Sequence, residues 1–317
     1  MEQKMFCFQC EQTAGCKGCT GNSGVCGKQA GIAEMQDQLT GKLIGLARTI
    51  DGNGHLISHA ANQVVREGLF ATITNVNFDK EALSALLRRV DEVKRQIVPL
   101  CYECTSACGK NDDYDMEHLW TAGEDIRSLK SLILFGIRGM AAYAYHAAVL
   151  GYTDPEVDRF FYKALFAVGM EDWGMDELLP IVLEVGAVNL KCMELLDKAN
   201  TETYGNPVPT EVSLTVEKGP FIIISGHDLF DLKQLLEQTK DKGINIYTHG
   251  EMLPAHGYPE LKKHPHLKGN FGTAWQNQQK EFASIPAPVL FTTNCLMPPK
   301  PSYADRVFTT EAVAYPG

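Results

Sequence analysis

Phe221-Ile222-Ile223-Ile224-Ser225-Gly226-His227-Asp228 is the stretch that decides the fold. Its start is wholly apolar and too short for a helix. Such a run reads as a strand buried on both faces, as in parallel sheets. It stops at a glycine and a histidine. A helical pattern follows near Leu229–Gln238, then a second apolar run, Ile244-Asn245-Ile246-Tyr247, leading to Thr248-His249-Gly250-Glu251. After a helical pattern near Ala274–Phe282 comes a third run, Val289-Leu290-Phe291, leading to Thr292-Thr293-Asn294-Cys295. Strands alternating with helices predict a Rossmann-like parallel α/β domain over residues 206–317. There is no G-x-G-x-x-G after a strand and no Walker lysine motif, so the sheet does not read as a dinucleotide or ATP site.

Each apolar run ends in a residue able to bind metal. Open parallel sheets build their sites outside the carboxyl ends of the strands. His227, Glu251 and Cys295 can therefore converge although they lie far apart in sequence. An imidazole, a carboxylate and a thiolate suit iron holding both sulfide and oxygen better than a structural zinc. The bland reading stands beside this one, since a lone histidine after a strand commonly caps a helix or fills a core. His249 and His256 are rival imidazoles, read here as supporting groups or catalytic proton donors to substrate. His264 and His266 sit among lysines and read as solvated.

Upstream, Asn200–Pro209 carries Gly205, Pro207 and Pro209, which places a domain boundary at about residue 205. Residues 1–205 read as an N-terminal iron–sulfur loop followed by helical bundles. Ile32, Met35, Leu39, Leu43, Leu46 and Ile50 recur at steps of three and four, the mark of one helical face. Asp51–Gly54 is a stop. Further helices are expected from about His55 to Ala71, after Asp79 as N-cap, from about Ala122 to Leu150, from Asp154-Pro155 to near Gly169, and over Met175–Lys198.

The N-terminus reads Cys7-Phe-Gln-Cys10-Glu-Gln-Thr-Ala-Gly-Cys16-Lys-Gly-Cys19-Thr-Gly-Asn-Ser-Gly-Val-Cys26. An iron–sulfur cluster needs four thiolates converging from a loop that can curl tightly, and the glycines permit that curl. Four cysteines would also suit zinc, and free or disulfide-forming thiols are the remaining reading. Cys101, Cys104 and Cys108 form a second group with no fourth ligand nearby. They read as thiols in a loop between helices, and Cys192 as core.

The chain has 317 residues, ten of them cysteine, and a formal net charge of −10. The length suggests about two domains. No basic stripe or nucleic-acid motif appears, which argues against DNA or RNA as a partner. The longest apolar pattern, near Leu129–Leu150, is broken by Arg138, His146 and glycines, so it reads as a buried bundle helix and no membrane span is expected. No signal segment precedes the cysteines, and a cytoplasmic location is expected.

Several segments together resemble the hybrid cluster protein family, also called prismane proteins or hydroxylamine reductases. They are Met5–Ala14 with Gly18-Cys19-Thr20 and Val25–Lys28, Leu69–Asp79, Gly139–Tyr143, Ser225–Leu229, His249–Pro259, Gly272–Gln276 and Thr292–Cys295. They cover nearly the whole chain in order. The resemblance implies a [4Fe-4S] cluster on Cys7, Cys10, Cys19 and Cys26, with Cys16 spare. The spacing after Cys10 resembles the shorter, anaerobe-type form of the motif. It also implies a hybrid [4Fe-2O-2S] cluster, with His227, Glu251 and Cys295 among its ligands. The implied activity is reduction of hydroxylamine to ammonia, or of nitric oxide to nitrous oxide. Electrons would come from a separate reductase or ferredoxin. Family members are far longer. Their third domain and remaining hybrid-cluster ligands, three cysteines and a glutamate, are expected outside these residues. The competing expectation is a non-catalytic electron carrier or redox sensor using only the N-terminal cluster.

Overall fold

The computed structural model of the chain describes residues 5–10, 18–50, 57–97, 113–293 and 295–316. Cys16, the Asp51–Gly54 stop and the Cys101, Cys104 and Cys108 group lie outside the described residues. Two compact units are formed. One comprises residues 1–73, 79–148 and 152–196; the other comprises 74–78, 149–151 and 197–317. The second unit thus begins upstream of the Gly205 break and also takes in two short earlier segments.

The first unit is helical: α1 (Ala30–Ile50), α2 (His59–Ala71), α3 (Lys80–Ile97), α4 (Met116–Trp120), α5 (Glu124–Val149), α6 (Pro155–Gly169) and most of α7 (Met175–Tyr204). α1 lies at its centre, packed against α2, α3 and α6. The periodic face of α1 is buried at Ile32, Leu39, Leu43, Leu46 and Ile50, and Ile44 is buried as well. The starts are set by side chains that accept free backbone N–H groups. Ser58 accepts from Ala61, Asp79 from Glu81 and Ala82, and Asp154 from Glu156 and Val157. Pro155 occupies the start of α6, where its missing N–H costs nothing. The sequence reading missed α4, which is a single short turn, and ended α7 too early.

The expectation that no segment could cross a membrane needs correction. By length and composition α5 is apolar enough to do so. Its Ile133, Leu134, Ile137, Met140, Ala141 and Ala144 lie in the bundle core instead, and Arg138 is buried among them. The same core holds an ion pair between Arg66 Nη1 and Asp158 Oδ1 at 2.8 Å. Asn62 donates to the second oxygen of Asp158 at 2.9 Å and accepts from the Tyr162 hydroxyl. A buried pair needs such extra bonds to offset desolvation.

The second unit is built on a wholly parallel sheet of β1 (Phe221–Ser225), β2 (Asn245–His249), β3 (Leu267–Phe271), β4 (Val289–Phe291) and β5 (Val307–Thr309). The order is β3-β2-β1-β4-β5. α8 (Leu229–Thr239) links β1 to β2, and α9 (Pro259–Lys262) lies between β2 and β3. The helix expected near Ala274–Phe282 is a turn of 3₁₀ helix followed by the single turn α10 (Gln278–Glu281). The five strands exceed the three expected. β3 carries Lys268, Gly269 and Asn270, and β5 is Val307-Phe308-Thr309 directly after Arg306, so neither shows a wholly apolar run. Next to β3, His266 is held by Thr239 Oγ1 and the Leu236 carbonyl rather than left in solvent. The chain moves outward from β1 to β2 and β3, then returns to place β4 on the other side of β1. That reversal opens a crevice at the carboxyl ends of β1 and β4.

Candidate functional site

The three strand-end residues meet in the crevice. One ligand atom each of His227, Glu251 and Cys295 lies within 4.8 Å of the others. The parallel register explains why: Ser225 is level with His249 on one side and with Phe291 on the other. All three strands therefore release their chains at one height.

Gly226 makes the turn after β1 possible. Its φ is +130°, and an added Cβ would lie 2.8 Å from the Thr293 nitrogen and closer still to the hydroxyls of Thr292 and Thr293. Any other residue would be strained and would push the β4 loop away. Thr292 donates its N–H to the Ser225 carbonyl at 2.9 Å and locks the two strand ends together. Asp228 then caps α8 by accepting from Asp231.

His227 Nδ1 lies 2.9 Å from Thr293 Oγ1, and its Nε2 lies 2.7 Å from Glu251 Oε2. The second nitrogen faces the place an ion would take between the three ligands. Cys295 Sγ lies 3.9 Å from the same carboxylate oxygen. The His227 and Glu251 side chains are 34% and 54% exposed, so the site opens outward on that side, whereas Cys295 is buried. Burial, and then the adjacent Glu251, push the Cys295 thiol up to about 12. The metal-free thiol is therefore protonated at neutral pH, and binding a metal must displace that proton.

Sequence reasoning missed the residues that hold Cys295. Gln278, fully buried, donates its Nε2 to the Cys295 carbonyl and to Trp275 O, and accepts from Met297 N. On the other side Leu296 donates to Asn75 O, and Asn75 has φ +61°. Phe78 N and Val76 O bond the Ala314 backbone. The Thr74–Phe78 segment thus belongs to the site's frame.

His249 and His256 are placed apart from the trio's shared position. His249 is fully buried, with Nδ1 2.9 Å from Ser225 Oγ and Nε2 3.5 Å from Glu281 Oε2. Burial lowers its pKa, against the pull of Glu281. His256 Nε2 lies 2.9 Å from Thr248 Oγ1, which donates to Asn270.

In the first unit, Cys7 and Cys19 exchange both backbone hydrogen bonds, at 3.0 and 2.8 Å. Directly opposed residues in such a pair point their side chains to the same face. Both are buried, while Cys10 and Cys26 are partly exposed. Burial raises the Cys7 pKa, and Lys28 opposes that rise. Two cations, Lys28 and Arg138, are buried close by, and Arg138 Nε has no hydrogen-bond partner among the described residues. An anionic group bound by converging thiolates fits this setting better than neutral thiols do.

Replacing Thr293 by Val removes the group that fixes the His227 ring. Iron(II) affinity at the trio is then expected to fall about 10- to 100-fold, as losses of such supporting groups do. Competition with a chromophoric chelator measures this. Unchanged affinity would show that His227 does not need that anchor.

Fold and site together define a class: a helical unit with a cysteine loop, joined in sequence to a parallel α/β unit with mixed nitrogen, oxygen and sulfur ligands at its topological switch. The chain belongs to the Prismane/CO dehydrogenase family, whose model matches residues 5–317. It is 47% identical over 331 residues to a hydroxylamine reductase of Solidesulfovibrio magneticus, covering 99% of this chain and 61% of that protein. A hydroxylamine reductase of Porphyromonas gingivalis is also 47% identical, with 100% of this chain and 61% of the relative covered. The chain thus spans about three-fifths of the length of these curated relatives. Among solved structures it is similar to carbon monoxide dehydrogenase IV from Carboxydothermus hydrogenoformans, at 17% identity and a TM-score of 0.35, covering 97% of this chain and 49% of the other. Membership in this family implies iron–sulfur chemistry.

Proposed function

We propose that the chain is the cluster-bearing part of a cytoplasmic oxidoreductase that reduces hydroxylamine to ammonia, or nitric oxide to nitrous oxide. Cys7, Cys10, Cys19 and Cys26 would hold a [4Fe-4S] cluster that relays electrons from a separate reductase or ferredoxin. His227, Glu251 and Cys295 would supply part of the ligand set of a hybrid [4Fe-2O-2S] cluster. The observation that carries this reading is the convergence of those three unlike ligands at the switch point of the sheet. When bound, such a centre supplies an electron-rich iron at which the N–O bond of hydroxylamine can be reduced.

The chain's own residues do the rest. Thr293 holds His227 with Nε2 facing the shared position. The exposed Glu251 carboxylate borders the open side, where a small substrate enters, and it can shift to free a ligand position. Cys295 sits on the dry side, fixed by Gln278 and Asn75. His249, joined to Ser225 just before Gly226-His227, is the better placed of the two histidines to pass protons. His256 is tied to Thr248 and Asn270 between β2 and β3.

The test is metal and sulfide analysis of anaerobically isolated protein, with an assay of ammonia formed from hydroxylamine by a reduced dye. The expected result is about four irons with matching sulfide at the N-terminal centre, more where the second centre is filled, and ammonia production that follows the second centre. Zinc without iron in that material would overturn the reading.

A further inference from the structure

Arg138 lies near the middle of α5, 129 residues from the loop it contacts. Nη1 donates to the Gln9 carbonyl at 3.0 Å, between Cys7 and Cys10, and Nη2 donates to Thr40 Oγ1 at 3.2 Å. Nε has no partner among the described residues. The residue is 2% exposed. Burial lowers its pKa, while Asp37, Cys7 and Cys10 favour its charge. None of these hydrogen bonds is to a carboxylate.

Lys28 repeats the pattern. It is 3% exposed and donates to the side-chain oxygens of Gln9 and Gln36, both neutral amides. Gln9 in turn donates to Asp37 Oδ1 at 2.8 Å and to Ala33 O. Among the described residues, Asp37 is the carboxyl that faces both cations. Burial, opposed by Gln9, Arg138 and Lys28, pushes it up to about 6. Among the described residues one carboxylate does not balance two buried cations, and it meets Lys28 through an amide rather than directly. A buried charge without an ion partner is strongly unfavourable. The missing negative charge is what four thiolates around an iron–sulfur core provide, and reduction of that core adds to it.

We infer that Arg138, with Lys28 beside it, is the buried counter-charge that sets the reduction potential of the N-terminal centre. The inference rests on the reading of Cys7, Cys10, Cys19 and Cys26 as an iron–sulfur site. Arg138 acts through the field it places on the ligands and is a positioning residue, not a catalytic one.

The test compares Arg138→Gln and Arg138→Lys with the unaltered chain. All are reconstituted anaerobically, analysed for iron, and titrated by EPR against redox mediators at neutral pH. Removing the cation destabilises the more negative, reduced form. The glutamine variant is therefore expected to load iron with a more negative potential, and the lysine variant to return toward the original value. The shift is expected to persist at high ionic strength, because buried charges are poorly screened. Iron loading by the lysine variant alone would also support the inference, since charge rather than shape would then decide. An unchanged potential in an iron-loaded glutamine variant would overturn it. So would failure of both variants to load iron. Absence of iron from the unaltered chain would instead sink the reading of the cysteine loop, and the inference with it.

Discussion

Protein carrying Cys19→Ser is expected to be isolated without the roughly four irons of the N-terminal centre, and without the broad visible absorption of thiolate-bound iron. Cys19 is chosen because its bonds to Cys7 are backbone bonds, which the substitution keeps. The loop can retain its shape while losing one sulfur. A serine hydroxyl has nearly the same size but is a far poorer donor to iron, which prefers soft thiolate. Iron, sulfide and absorbance per chain measure the outcome. Retention of all the iron would mean that another cysteine completes the site, and would return Cys16 to consideration.

The second large effect is expected from Cys295→Ala. Cys295 is the buried member of the trio, held by bonds to its own carbonyl and to the next residue's N–H. Removing its sulfur leaves His227 and Glu251 alone, and iron(II) affinity is expected to fall by more than about 100-fold, beyond what loss of a supporting group produces. The pH dependence gives a second readout. The metal-free thiol is raised to about 12, so metal uptake at neutral pH must release its proton. Apparent affinity should rise by about tenfold per pH unit from this group, and the alanine variant should lose that part of the slope. Calorimetry in buffers of different ionisation enthalpy counts the protons. An unchanged slope would show that Cys295 is not a ligand.

The sequence made the trio visible because each member follows an apolar run within four residues. His227 comes two residues after Ser225 and Glu251 two after His249, at the ends of strands whose composition is unmistakable. β3 had no such signal. Its Gly269 is needed because a Cβ there would collide with the Ser213 backbone, and that glycine breaks the run. Gln278 and Asn75 were hidden for another reason. Gln278 is a polar residue in a polar stretch whose side chain bonds main-chain groups distant in sequence, and Asn75 acts through its backbone carbonyl, which any residue carries. Arg138 is visible as a break in a long apolar pattern that reads as a buried bundle helix, and α5 is buried in the bundle. Its contact with the cysteine loop has no signal in the sequence. A single arginine inside a long apolar helix is better read as a charge that the core has a reason to bury.

The strand order also dictates a sequence of assembly. β4 must pair with β1 across an intervening β2 and β3, and the contact between His227 and Thr293 spans 66 residues. Pairings of such long range form late, because the chain loses entropy in closing large loops before these contacts stabilise it. The three metal ligands therefore exist as a set only when the sheet is nearly complete. Until then His227 and Glu251 can meet, but Cys295 has no place to be buried. Iron must enter a folded pocket rather than nucleate one. Refolding rates are thus expected to be indifferent to iron, whereas unfolding should slow when it is bound.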